Sequence, residues 1–279
     1  MTRGDAYTRL HDILTRAEVL LTSAAEATRS DDEPEATDHD TPRHARIAPS
    51  DERSVEGEVS RSGEPASPTT DRLEKYADLS ADERSARLAA LAETIRACRL
   101  CPLALGRTNA VPGIGVVDPL VMVVGEGPGF QEDRQGVPFV GKAGQYLDKW
   151  LASIGLSRET NAFIANIVKC RPPNNRDPKP EESDACTPYL DEQLALVRPR
   201  LIVTVGRIST RLLTGSSEGI TRIHGSFFRH RGLPLIPTFH PAAVLRNPDW
   251  RRPVWEDLKR VRNWLVDNAG HRAPEHPGG

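Results

Sequence analysis

Four short apolar runs, residues 120–124, 162–168, 201–205 and 235–239, stand out along the chain, each bounded by turn residues. Continuous apolar runs of that length predict buried strands. Between them, segments 143–154, 182–197 and 208–213 predict helices, and 253–268 predicts a final one. Upstream, Ser80-Ala-Asp-Glu83 has the Ser-x-x-Glu form of a capping box, and Leu88, Leu91 and Ile95 give the following helix one apolar stripe. Strands alternating with helices predict an α/β fold, a parallel sheet with helices on both faces. Near the N-terminus, Leu10, Ile13, Leu14, Leu21 and Ala24 recur at helical spacing, so residues 1–30 predict an amphipathic helix. That helix either docks on the core or serves a protein partner from a tether.

Composition supplies the tether. Residues 31–70 hold no aromatic residue and carry eleven Asp or Glu against four Arg, a net charge of −7. Such a segment cannot offset its ordering entropy, and a disordered acidic linker is expected over 31–75. The whole chain is −2 and residues 1–30 are neutral, so residues 71–279 carry +5. The near-neutral total hides a mildly basic part, which suits a polyanionic partner. A folded domain is expected over 76–268, and a disordered tail over 269–279 (from Gly270, GHRAPEHPGG). The sequence offers neither an apolar signal-peptide core nor a run long enough for a membrane span, so a cytoplasmic protein without membrane contact is expected. No Walker-type Gly-x4-Gly-Lys-Ser/Thr occurs, which counts against an NTPase.

The first strand runs into Gly125-Glu126-Gly127-Pro128-Gly129, followed by Glu132-Asp133 and Pro138-Phe139-Val140-Gly141. Glycines just past a strand end let backbone approach a ligand closely. In an open α/β sheet that is where ligands sit. The stretch therefore reads as a gripping loop with two carboxylates and an aromatic. Asn166 closes the second strand beside it. Its amide offers a donor and an acceptor side by side, which suits a pyrimidine edge, although an Asn there also caps turns. The last strand runs into His240-Pro-Ala-Ala-Val-Leu-Arg246. A His at a strand end either donates to a developing oxyanion or is satisfied by nearby backbone. Pro241, opening a turn or helix with free N–H groups behind it, suits a phosphate. Leu245 and Arg246 read as a wedge and clamp for a nucleic acid, or Leu245 as simple helix packing.

All four cysteines fall into two pairs, Cys98-x2-Cys101 and Cys170-x15-Cys186. Four thiolates gathered at one point hold zinc or an iron–sulfur cluster. Four protein ligands leave no open position, so such a metal is structural.

Taken together, GEGPGFQEDRQGVPFVGKAG, NIVKCRPPNN, HPAAVLR and the cysteine set resemble the family 4 uracil-DNA glycosylases, the iron–sulfur branch of their superfamily. The resemblance covers roughly residues 80–266. It implies a three-layer α/β/α domain around a four-stranded parallel sheet, and a 4Fe–4S cluster on Cys98, Cys101, Cys170 and Cys186, with zinc as the alternative. It implies an enzyme that extrudes deoxyuridine from single- or double-stranded DNA and breaks its N-glycosidic bond, acting as a monomer in base excision repair. Gly125 and Gly127 would line the uracil slot, with Phe139 stacked on the base. Asn166 would read the O4/N3 edge, and Glu132 would crowd C5. His240 would stabilise charge at O2, Leu245 would fill the vacated stack with Arg246 on the backbone, and Asn175 would help position substrate or water. Gly127 stands where family 1 members carry an Asp, which leaves Glu126 as the carboxylate for the sugar and water side. The T-R-I-H segment ending at His224 is similar to a loop of the X-type branch, whose histidine traps the sugar covalently. Covalent trapping through His224 is the alternative to ordinary turnover.

Overall fold

The computed structural model describes residues 75–269. The expected helix over 1–30, and all but the last residue of the 31–75 linker and the first of the 269–279 tail, lie outside the described residues.

The described chain opens with helix α1 (Ala81–Ala97), whose predicted capping box forms in full. Ser80 Oγ accepts from the Glu83 N–H at 3.3 Å, and the Glu83 carboxylate accepts from the Ser80 N–H at 2.8 Å. A short α2 (Leu103–Gly106) and strand β1 (Ile114–Gly115) follow. Then come β2 (Val121–Gly125), α3 (Phe130–Gln135), α4 (Lys142–Ser153), β3 (Ala162–Asn166), α5 (Pro180–Val197) and β4 (Leu201–Val205). The rest is α6 (Arg207–Thr214), α7 (Ile220–Ile223), β5 (Phe228–His230), β6 (Leu233–Thr238), α8 (Pro241–Arg246) and α9 (Arg251–Asp267).

The sheet order is β1-β3-β2-β4-β6-β5. The four expected strands make its parallel centre, β3-β2-β4-β6. Two short antiparallel strands extend the edges, β1 on β3 and β5 on β6. The sheet therefore has six strands where the sequence announced four, because runs of two and three residues are too short to show alternation.

Every residue of β2, β3 and β4 is buried, so side chains alternate between two cores rather than between core and water. Val121, Val123, Ile164, Val203 and Ile236 face one layer, with Leu147, Trp150 and Leu151 of α4 and Leu258, Val261 and Leu265 of α9. Met122, Val124, Phe163, Ala165 and Ile202 face the other, against Ile95 of α1, Leu190 and Leu194 of α5 and Leu213 of α6. Helices cover both faces, which is the three-layer α/β/α architecture. Residues 75–79 add a small third cluster, with Tyr76 packed on Ala195 and Leu196 and bonded to Glu192.

Candidate active site at the carboxyl edge of the sheet

The chain runs from β2 to β3 on one side and then crosses to β4 on the other. That reversal is a topological switch point, and in an open parallel sheet ligands sit beyond the carboxyl ends of the strands at such a point. Register places Gly125 directly beside Asn166. The Ile167 N–H donates to the Gly125 carbonyl at 3.0 Å, and the Val168 N–H to that of Glu126 at 3.1 Å. Gly125 is required by crowding: a methyl in its place would stand 2.7 Å from Phe139 Cζ and would overlap the Asn166 amide oxygen. The ring edge of Phe139 and the Asn166 carboxamide thus meet over a residue with no side chain.

Asn166 is 1% exposed, and its Oδ1 has no hydrogen-bond partner. An orphaned buried acceptor costs about 1–3 kcal/mol, a cost that a donor on a bound ligand would offset.

Phe139 is buried and joins the core cluster of α4 and α9. Its backbone is held at φ +53°, an uncommon conformation for an aromatic residue. Several contacts impose it. Arg158 donates to the carbonyls of Pro138 at 2.9 Å and Phe139 at 3.0 Å while paired to Asp148 at 2.6 Å. Glu132 accepts from the N–H groups of Val140 at 2.9 Å and Gly141 at 3.0 Å. Gly144 lies so close beneath the Phe139 carbonyl that any Cβ there would overlap it. The carboxylate of Glu132, expected beside the base, is therefore engaged with the backbone that carries Phe139. Arg158 and Asp148 gave no signal in the sequence, being ordinary surface charges until the loop folds over them.

His240 caps α8. Its Nδ1 accepts the Ala242 N–H at 3.2 Å, which leaves the ring proton on Nε2 in the neutral form. Burial holds its pKa down at about 4; the Arg246 charge pushes the same way and Glu132 opposes. The imidazole is thus neutral at pH 7 and a donor through Nε2–H. It lies 5.7 Å from the Phe139 ring, centroid to centroid. Gly206, at φ +98°, lets it settle, since a Cβ there would come 3.1 Å from His240 Cβ.

Glu126, next after Gly125, is partly buried. Burial pushes its carboxyl up to about 7, with the Asp177 charge adding and Arg207 opposing. Asp177 and Arg207 are themselves paired at 2.5 Å, joining the loop after β3 to the start of α6. Neither stood out in the sequence, because each is a single charge in a polar stretch. At Gly127 a Cβ would approach Val168 Cγ2 to 2.7 Å, so the loop packs closely on the segment just past β3.

The remaining expected residues lie outside this cluster. Asn175 is exposed at φ +54°, with its side-chain oxygen tied to Arg171 Nε at 2.7 Å. Leu245 and Arg246 are exposed on α8, within one helical turn or two of its cap His240. His224 is bonded through Nδ1 to the buried Asp257 at 2.9 Å, and Asp257 in turn accepts from Thr238 Oγ1 at 2.7 Å.

The cysteines share a neighbourhood of their own. Among the described residues no three His, Cys, Asp or Glu side chains are drawn close enough to hold a metal ion. All four cysteines are nonetheless free thiols. Burial pushes the Cys170 thiol up, with Arg107 opposing and the nearby Cys101 and Cys98 adding, and Cys170 and Cys101 likewise act on Cys186. Arg107 donates to Cys170 Sγ at 2.9 Å, the Lys169 N–H to Cys186 Sγ at 3.3 Å and the Leu100 N–H to Cys98 Sγ at 3.5 Å. Burial pushes Cys186 up to about 11, so its thiolate needs a cation to share the space. Lys169 reaches the other way as well. Its buried ammonium donates to the Asn166 carbonyl at 2.8 Å and to Gln193 Oε1 at 2.6 Å, and Gln193 donates to the Pro112 carbonyl at 2.6 Å.

Comparison with known proteins gives the family. The family model described as "Uracil DNA glycosylase superfamily" matches residues 112–259. A type-4 uracil-DNA glycosylase of Sulfurisphaera tokodaii is 44% identical over 183 residues, covering 62% of this chain and 83% of that protein. One from Thermotoga maritima is 42% identical over 179 residues, 63% of this chain and 93% of its own. A type-5 uracil-DNA glycosylase of Thermus thermophilus is 32% identical over 155 residues, 44% of this chain and 70% of its own. With Gly125, Asn166 and His240 of the carboxyl edge falling inside the matched stretch, the chain belongs to the uracil DNA glycosylase superfamily, on its type-4 branch.

Proposed function

We propose that the protein excises uracil from DNA, breaking the bond between uracil N1 and the deoxyribose C1′ and leaving an abasic site. The observation that carries this reading is the orphaned Asn166 Oδ1, buried beside Phe139 and above Gly125. Uracil presents an N3–H donor beside an O4 acceptor, the complement of a carboxamide. Cytosine presents the reverse pattern and would leave both groups unmatched. Such a base reaches the crevice only when swung out of the stack.

The chemistry then follows the charges. As the N1–C1′ bond breaks, the bonding pair leaves with uracil and negative charge gathers at O2. The neutral His240 donates its Nε2–H there without giving up the proton. Positive charge gathers at the sugar, where the ionised Glu126 carboxylate stabilises it. Water adds its oxygen to C1′, and its proton is released. Phe139 stacks on the base, Gly125 and Gly127 line the slot, and Glu132 fixes the backbone that carries Phe139. Asn175, Leu245 and Arg246 meet the DNA around the pocket.

The donor set fits an iron–sulfur cluster better than isolated thiols. It combines four sulfurs with N–H donors to three of them, the one on Cys170 being the Arg107 guanidinium. Cys98, Cys101, Cys170 and Cys186 would hold a 4Fe–4S cluster, which supplies a cross-link between the end of α1, the loop after β3 and α5. The glycosylase unit spans 76–268 and works as a monomer in the cytoplasm. The segment 1–30 is left for a protein partner, tethered by 31–75. Among the described residues no helix is long and apolar enough to cross a membrane. Turnover is preferred to covalent trapping because the type-4 relatives match over most of their length.

The test is an oligonucleotide with one deoxyuridine. Free uracil and an alkali-labile site are expected, with iron and sulfide in the purified protein. An intact strand, or a denaturant-resistant protein–DNA adduct lost in His224→Ala, overturns the reading.

A further inference from the structure

Phe130 opens α3, five residues after Gly125, and its ring is 49% exposed. Two guanidiniums lie against it, Arg171 at 5.1 Å and Arg134 at 5.8 Å from the ring centroid. They come from separate elements: Arg134 from α3 itself, Arg171 from the loop five residues past Asn166. Most arginines near the crevice are in ion pairs, including Arg158, Arg176 and Arg207. Arg134 and Arg171 have no ion pair with a carboxylate among the described residues. The lip of the pocket thus carries a half-open aromatic ring with two positive charges that lack an anion. An exposed π-face flanked by unneutralised guanidiniums is how proteins hold single-stranded nucleic acid: the ring takes a base, and the cations take the phosphates beside it.

We propose that Phe130, Arg134 and Arg171 form a stacking platform for the unpaired base next to the extruded uridine on the same strand. The platform rests on the glycosylase reading for its position in the reaction, since its residues follow, each within nine positions, the strand ends at Gly125 and Asn166. When uridine leaves the stack, its neighbour loses a stacking face, and the Phe130 ring replaces it. The guanidiniums turn to the flanking phosphates. In a duplex the neighbouring base keeps its pair, so the platform favours single strands and loosened ends.

The experiment uses the full-length protein and a single-stranded oligonucleotide with one deoxyuridine, beside a second in which both neighbouring nucleotides are abasic spacers. Phe130→Ala is expected to raise KM about tenfold on the first, within the usual range for one base–aromatic stack, with kcat within twofold. Phe130→Trp should restore KM, and Phe130→Leu, which keeps apolar bulk without a π-face, should not. On the spacer oligonucleotide wild type and Phe130→Ala should coincide. Full activity in Phe130→Leu, or an equal defect on both oligonucleotides, overturns the platform and makes the ring a packing or protein-docking element. A uracil-free strand carrying 2-aminopurine separates this idea from the glycosylase reading. Quenching by wild type that is lost in Phe130→Ala supports the platform even if no uracil is released, and equal quenching by both overturns it.

Discussion

Replacing Glu126 with Gln should slow the reaction and stabilise the protein at the same time. Glu126 titrates at about 7 in the folded chain against 4.5 for a free side chain, chiefly because burial strips water from the carboxylate. A shift of that size corresponds to about 3 kcal/mol between protonation states, reduced here to about 2 kcal/mol because the group still touches solvent. The sign follows from linkage. Between pH 4.5 and 7 the unfolded chain has released this proton and the folded chain has not, so stability falls as pH rises through that window. Above it the full cost is present. Glu126→Gln removes the cost, which in a unit of this size raises Tm by about 4–8 °C at pH 8. At pH 5 the gain should shrink below about 1 kcal/mol. Single-turnover uracil release by wild type should rise with pH through a midpoint near 7, as the ionised form accumulates. Glu126→Gln should be about 10- to 100-fold slower and flat. Asp177→Asn should move the midpoint down by about half a pH unit, the size of one screened charge. A variant no more stable than wild type at pH 8, or a midpoint that survives in Glu126→Gln, refutes the assignment.

His240→Ala should lower kcat about 10²- to 10³-fold with KM little changed, because the lost donor acts on charge that develops only as the bond breaks. Wild-type activity should show no histidine limb above pH 5, since burial holds His240 near 4. Gly125→Ala places a methyl 2.7 Å from Phe139 Cζ. Its KM for uracil-containing DNA should rise at least about tenfold while its thermal melt stays cooperative. Asn166→Asp puts a second acceptor where the O4 donor stood, so uracil excision should fall and the ratio of uracil to cytosine release should narrow, measured on paired oligonucleotides.

Much of this site is written in short-range sequence. The glycine loop, Asn166 and His240 each end a run that alternates or breaks in a recognisable way, and a parallel sheet brings such ends together. The helix Ala81–Ala97, capped by Cys98, is legible from its capping box and the Leu88, Leu91, Ile95 stripe. The edge strands were not, since β1 and β5 owe their conformation to partners already in place. Nor was the hold on Phe139: Arg158 lies nineteen residues from the carbonyl it grips, and nothing local marks it. Glu132 shows the limit most directly. Its place in the motif suggested contact with the base, and only tertiary contacts reveal that its carboxylate binds two backbone N–H groups. Asp177 and Arg207 likewise gain meaning from proximity to Glu126, not from their own surroundings in the chain.

Lys169 deserves a last consequence. Its main chain is bonded to a cysteine sulfur, while its ammonium grips the main chain of Asn166, the residue proposed to read the base edge. Damage at the cysteines would therefore not leave a sound but wobbly enzyme. It would reach the Asn166 main chain through one side chain, three residues further on. Oxidation of the cysteines is thus expected to lower uracil release, and not only thermal stability.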